Sequence, residues 1–132
     1  MYFLDTNTCI YFLNGKYESV RKRLLATAPG EIAIPALVKA ELLFGAYKSR
    51  NREATVDKVE RFLEPFAIKS FDDRAASEYA DIRSEAERTR KTIRPNDLCI
   101  AAIVRSNQGI LVTNNEKEFG TIPGLRLENW IR

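Results

Sequence analysis

The sequence predicts an α/β fold, with a central, mostly parallel sheet of four to five strands flanked by helices. Three observations carry this. Short apolar runs alternate with longer stretches whose apolar positions recur at helical spacing. No two such runs are joined by a two-residue hairpin turn, so each strand must return through a helix and run parallel to the last. Finally, 132 residues with 45% hydrophobic side chains are enough for one domain, spanning 1–132, with its own core.

Tyr2-Phe3-Leu4 is the first strand, cut off by a turn at Asp5-Thr6-Asn7. A short helix over 10–13 stops at Asn14-Gly15. Tyr17, Val20 and Leu24 mark the next helix, which ends at Ala28-Pro29-Gly30. Ile32-Ala33-Ile34 is the second strand, and Pro35, a favourable first helical residue, opens a helix over 35–47. The basic stretch Lys48-Ser49-Arg50-Asn51-Arg52 leads into a helix carrying Val56, Val59 and Leu63, and 67–71 is the third strand. Asp72 caps a long helix whose Ala75, Tyr79, Ile82 and Ala86 share one side. Pro95-Asn96 starts a helix over 97–106, closed by Gln108-Gly109. Ile110-Leu111-Val112 is the fourth strand, broken by Thr113-Asn114-Asn115, and 125–127 is a short last strand before Trp130.

Composition narrows the chemistry. There is no histidine, which excludes a Ser-His-Asp triad, a paired-imidazole ribonuclease and any metal site built on imidazole. The two cysteines, Cys9 and Cys99, are too few for an all-thiolate zinc site; in their apolar surroundings they read as core residues of a reducing, cytoplasmic compartment. A hydrolase with this composition must use carboxylates and a hard metal. Net charge is +3, which permits a polyanionic partner without requiring one. No apolar run is long enough for a membrane span, and the N-terminus lacks the basic region of a signal peptide.

Most of the acids, including Glu78, Asp81, Glu85 and Glu87, fall where solvated acids belong. Three do not. Asp5 ends an uninterrupted apolar strand, at the sheet edge where ligands sit in open α/β folds. Glu41 shares a helix face with Leu37, Val38 and Phe44. Asp97 has Ile100, Ala101 and Val104 on its own apolar stripe. Each has an ordinary alternative: a turn or cap for Asp5, a half-exposed surface acid for Glu41, a first-turn acid favoured by the helix dipole for Asp97. Burying several unpaired carboxylates together costs several kcal/mol, and a divalent cation removes that cost. Oxygen ligands without imidazole or thiolate select Mg²⁺, or Mn²⁺, and such ions suit phosphodiester hydrolysis. Thr6, Asn7, Thr113 and Asn115 are neutral neighbours suited to orienting water or phosphate. A nucleic-acid substrate accounts for the clusters Arg21-Lys22-Arg23, Lys48/Arg50/Arg52 and Arg88/Arg90/Lys91/Arg94; the last directly precedes Asp97, which singles out Arg90, Lys91 and Arg94 as phosphate contacts. Tyr11, Phe12, Phe44, Phe62 and Phe119 read as core residues.

Taken in order, these residues resemble the PIN-domain ribonucleases, and more narrowly the VapC-type toxins of bacterial type II toxin–antitoxin systems. The matching pieces are Leu4-Asp5-Thr6-Asn7, Ala40-Glu41-Leu42 with Gly45-Ala46, and Asn96-Asp97-Leu98 with Ile100-Ala101-Ala102. Toward the end they are Leu111-Val112-Thr113-Asn114-Asn115 with Glu118-Phe119, then Gly124-Leu125 and Glu128-Asn129-Trp130. The resemblance implies a PIN-like three-layer sandwich and a Mg²⁺-dependent endoribonuclease in a bacterial cytoplasm. It implies that Asp5, Glu41 and Asp97 are catalytic, with Asp5 and Asp97 holding the metal and Glu41 positioning metal or water. The ending is most similar to toxins that cut initiator tRNA in the anticodon stem-loop. A homodimer and a cognate VapB-type antitoxin are implied as well. Two positions depart from the pattern: Asn115 stands where many PIN domains carry a fourth acid, a place Glu118 could fill, and Arg94 stands where related toxins usually have glycine. A nuclease of RNA maturation and a non-catalytic binding module are the competing readings. A phosphotransfer receiver is excluded by the missing paired acids after the first strand and the missing later lysine.

Overall fold

A computed structural model describes all residues 1–132. Five strands form one sheet: β1 (Tyr2–Leu4), β2 (Ile32–Pro35), β3 (Ala67–Lys69), β4 (Ile110–Val112) and β5 (Arg126–Glu128). Their order is β3-β2-β1-β4-β5 and every pairing is parallel, with Leu4 opposite Val112 and Phe3 opposite both Ala33 and Leu111. The connections are α1 (Thr6–Asn14) and α2 (Glu18–Ala26), then α3 (Ala36–Tyr47) and α4 (Arg52–Leu63), then α5 (Asp73–Arg88) and α6 (Pro95–Ser106), and finally α7 (Glu116–Phe119). The chain walks outward from β1 to β3, crosses over to β4, and walks outward again. Right-handed crossovers in opposite directions put their helices on opposite faces of the sheet. The reversal lies between β1 and β4, so a crevice opens there at the strands' carboxyl ends. No helix is long and apolar enough to cross a membrane.

The core explains the elements. β2 is buried along its whole length, as expected of a parallel strand covered on both faces. Phe3, Leu4, Leu111 and Val112 of the two central strands are fully buried. Helix α6 buries Leu98 and the run Ile100–Val104, far more than an amphipathic stripe. It is the helix that places Asp97 in the interior.

Element boundaries differ from the sequence expectation where a single side chain decides them. α1 starts at Thr6 rather than residue 10, because Asp5 caps it directly: its Oδ1 accepts the Thr8 N–H at 2.8 Å. Pro35 is the last residue of β2 and the N-cap of α3, with ψ at 141°, so it precedes the helix instead of opening it. β3 ends at Lys69, and β5 sits one residue later than expected, after Gly124 at φ 77°. α7 was not expected at all, because four residues carry no readable period.

Three helices end alike, and only one does so on a glycine. After α1, Gly15 is left-handed, with Gly15 N–H bonded to Phe12 O and Lys16 N–H to Tyr11 O. After α6 the left-handed residue is Gln108, not Gly109. Gly109 answers a different need: a Cβ there would clash with the fully buried Phe3 ring. After α5 the left-handed residue is Arg90 at φ 58°, with its N–H on Glu87 O and the Lys91 N–H on Ala86 O.

Phe62 and Phe119 are core residues, and Tyr11 and Phe12 pack partly buried against the core. Phe44 is not: it is 61% exposed, with the Lys48 ammonium 4.7 Å from its ring. The expected apolar face of α3 is therefore buried only at Val38 and open toward Phe44. Glu78 and Asp81, expected to be solvated, share Arg105, which joins α5 to α6 with oxygens at 2.5 Å. Cys9 and Cys99 are unpaired.

Candidate active site

Asp5, Glu41 and Asp97 come from three different elements and line one cavity of about 130 Å³ at the carboxyl edge of the sheet. Thr6, Asn7, Arg94 and Asn115 complete its polar wall, with Ile100 and Phe119 beneath. Asp5 arrives because β1 ends there, and its backbone N–H continues the ladder onto Val112 O at 3.1 Å. The Thr8 hydroxyl reaches the same carbonyl at 3.2 Å, fastening α1 to β4 across the crevice. Glu41 arrives one turn beyond buried Val38, half-buried beside core residue Leu42 on α3. Asp97 arrives on the first turn of α6.

Burial makes these acids unusual. Asp5 is 6% exposed, and desolvation pushes its carboxyl above the ordinary value; hydrogen bonds from Thr113 and Thr8 pull against that, and the Glu41 charge adds to it. Asp97 is pushed up to about 6, first by burial and then by repulsion from Glu118, against the pull of Arg94. Behind Asp5, burial raises the Cys9 thiol well above its usual value, with the Asp5 charge adding to the effect, so it is a neutral packing group. The fold itself thus disfavours the charged form of two of the site's carboxyl groups, Asp5 and Asp97.

Each acid has a neighbour that fixes it. The Thr6 hydroxyl donates to Glu41 Oε1 at 2.5 Å, and the Asn96 amide approaches Oε2 at 3.4 Å. Arg94 Nε donates to Asp97 Oδ2 at 3.1 Å. Thr113 lies behind the wall, buried, where its Oγ1 accepts the Asn115 N–H at 2.9 Å. Glu118 stands one step outside the cavity with both oxygens engaged: Oε2 accepts from Asn115 Nδ2 at 2.7 Å and Oε1 from the Arg94 N–H at 2.8 Å. It braces the site, and Asn115 keeps the wall position. Arg94 has φ −62° and ψ 146°, an extended conformation open to any residue, so its backbone needs no glycine.

The donor set fits a hard divalent ion: carboxylate, hydroxyl and amide oxygens, without imidazole or thiolate in the wall. As they stand, the acids do not form a group of three that could hold an ion; Thr6 and Asn96 meet the oxygens of Glu41, and Arg94 meets one of Asp97.

The basic residues separate. Lys91 and Arg94 line a second groove, of about 330 Å³, with Thr92, Asn115, Lys117, Glu118 and Thr121; it shares Arg94 and Asn115 with the acid cavity. Lys117 was missed in the sequence because it rides on α7. Arg88 is bound to Glu85, and Arg90 lines neither hollow. Arg90 nevertheless holds a left-handed backbone that costs a side-chain-bearing residue about 1 kcal/mol. Arg90→Gly is expected to raise stability by about 0.5–1 kcal/mol in urea unfolding. If Arg90 contacts phosphate, the same variant binds RNA more weakly, and its salt slope is shallower by about one ion.

The family model described as PIN domain matches residues 2–125. Ribonuclease VapC2 of Rickettsia felis is 40% identical over 131 residues, covering 98% of each chain. The tRNA(fMet)-specific endonuclease VapC of Shigella flexneri is 36% identical over 129 residues, covering 98% of this chain and 97% of that one. Among solved structures, VapBC2 from Rickettsia felis bound to a DNA fragment from their promoter superposes with a TM-score of 0.91 at 39% identity, covering 98% of each chain.

Proposed function

Given that this chain belongs to the PIN-domain family, as a VapC-type ribonuclease toxin inhibited by a VapB antitoxin, we propose that it cuts RNA at the Asp5–Glu41–Asp97 cavity and that its substrate is initiator tRNA, cleaved in the anticodon stem-loop. The observation that carries the site is the meeting of these three acids, distant in sequence, at the topological switch point. The substrate reading rests on the full-length likeness to the tRNA(fMet)-specific relative.

Asp5 and Asp97 would hold Mg²⁺, or Mn²⁺; when bound, such an ion supplies Lewis acidity to water and phosphate. The protein's own part is orientation. Glu41, held by Thr6 and Asn96, turns an oxygen toward the attacking water and takes up its proton. Asn7 and Asn115 offer neutral hydrogen bonds at the wall without adding repulsion. Water oxygen bonds to phosphorus in line as the bond to O3′ breaks and O3′ takes a proton from solvent water, leaving a 5′-phosphate and a 3′-hydroxyl; Glu41 returns its proton to solvent. Lys91 and Lys117 in the adjoining groove supply positive charge along the path of the RNA backbone. The reading includes a homodimer and a cognate VapB-type antitoxin, for which exposed Phe44 and Tyr47 on α3 provide apolar surface.

The test is to incubate purified protein with total tRNA, with and without Mg²⁺, and to sequence the RNA ends. A single cut in the anticodon stem-loop of initiator tRNA is expected, made only with the ion. Undiminished cleavage in EDTA would remove the metal from the mechanism, and cuts spread over many tRNAs would remove the substrate assignment.

A further inference from the structure

The acid cavity contains its own cation. Arg94 is the one positively charged side chain among the residues that line it. Its main chain is pinned by Glu118 Oε1, while its Nε meets Asp97 Oδ2 at 3.1 Å. The two partners differ in freedom: the Arg94 side chain is 72% exposed and that of Asp97 only 12%. The guanidinium can swing into water without dragging the backbone, whereas the carboxylate is fixed on the buried helix α6. Glu118, the other acid beside the guanidinium, has both oxygens already engaged, by the Arg94 N–H and by Asn115. Thr6 and Asn96 meet Glu41 with neutral groups, so Asp97 is the cavity acid answered by a full charge.

We propose that Arg94 is a built-in counter-cation of the site, competing with the divalent ion for Asp97, so that the ion enters by displacing the guanidinium. The inference rests on the reading above, in which Asp5 and Asp97 hold the ion. Arginine has only donors and stays protonated, so it acts on Asp97 as a fixed positive charge. A divalent ion close to the same carboxylate repels it, and only one of the two can sit there. Without the ion, Arg94 relieves the crowding of negative charge. With it, the guanidinium is released at the mouth of the groove lined by Lys91 and Lys117.

Mn²⁺ binding to the intact protein, measured calorimetrically and by the loss of the free-ion electron paramagnetic signal, tests this without reference to cleavage. Arg94→Gln is expected to bind Mn²⁺ roughly 2- to 5-fold more tightly than wild type, the size of effect that losing an ion-pair competitor with one exposed member gives. Arg94→Lys, which keeps the charge, is expected to stay nearer to wild type. Equal or weaker binding by Arg94→Gln overturns the proposal. Asp97→Asn serves as the control for the premise. If it binds Mn²⁺ as wild type does, or if wild type binds none, the metal site itself has failed and the inference falls with it.

Discussion

Asp5→Asn is expected to lower Mg²⁺-dependent RNA cleavage on the order of 10³-fold while leaving the fold intact. Asp5 has two separable roles. Its Oδ1 accepts the Thr8 N–H and so starts α1 directly at the end of β1. Its charge faces the cavity shared with Glu41 and Asp97. An asparagine keeps the acceptor and removes the charge, so the helix start survives and the site loses a metal ligand. Alanine removes both, and about 1 kcal/mol of stability should go with the cap. Because burial raises the Asp5 carboxyl, ionising it at neutral pH works against folding. Asp5→Asn should therefore unfold at a higher temperature than wild type in EDTA at pH 7. Cleavage at wild-type rate by a folded Asp5→Asn protein would remove the site from the mechanism; a folded fraction reduced below wild type would show that the carboxylate itself holds the fold.

Asp97→Asn is expected to be equally inactive, with a stability change whose pH dependence identifies its cause. The carboxyl stands near 6 in the folded protein, against 3.8 for an unperturbed aspartate. The folded state therefore holds the proton more tightly than the unfolded one, and wild-type stability falls as pH rises from about 4 to about 6. Above that window the penalty is complete, and below it the penalty is absent. The asparagine variant carries no such charge, so in EDTA its advantage over wild type should grow through this window to roughly 1–3 kcal/mol at pH 7.5. The pull of the Arg94 pair is already contained in that carboxyl value and takes nothing further from the gain. An advantage that stays constant from pH 4 to 7.5 would assign the effect to packing and not to charge. Added Mg²⁺ should narrow the difference by stabilising only wild type.

Much of this site was legible before any coordinates. Asp5 stands out because a strand of Tyr2, Phe3 and Leu4 has no reason to end on an acid at a sheet edge, and Asp97 because Ile100, Ala101 and Val104 share its side of the helix. Glu41 was found by the same logic for a partly wrong reason. The face it shares holds buried Val38 but also Phe44, which the structure leaves exposed. Lys117 could not be found that way, because it lies on a four-residue helix without a period. Arg105 could not be found either: that it joins Glu78 to Asp81 depends on how α5 lies against α6, which no local pattern encodes.

The chain's local chemistry by itself determined the strand–helix alternation, the parallel sheet, the absence of imidazole and the three acids set against apolar neighbours. Those features are written in periodicity, in missing residue types and in charges placed against apolar neighbours, all of which act over a few residues. Only the tertiary structure decided that Glu118 braces while Asn115 lines the cavity, that Arg94 rests on Asp97, and that Gly109 exists for Phe3 and not for a turn. The physical reason is distance. Each of these outcomes depends on which side chain fills the space beside another from a different element, and that space is set by how β1, β4 and α6 pack together. A sequence names the groups; packing chooses their partners.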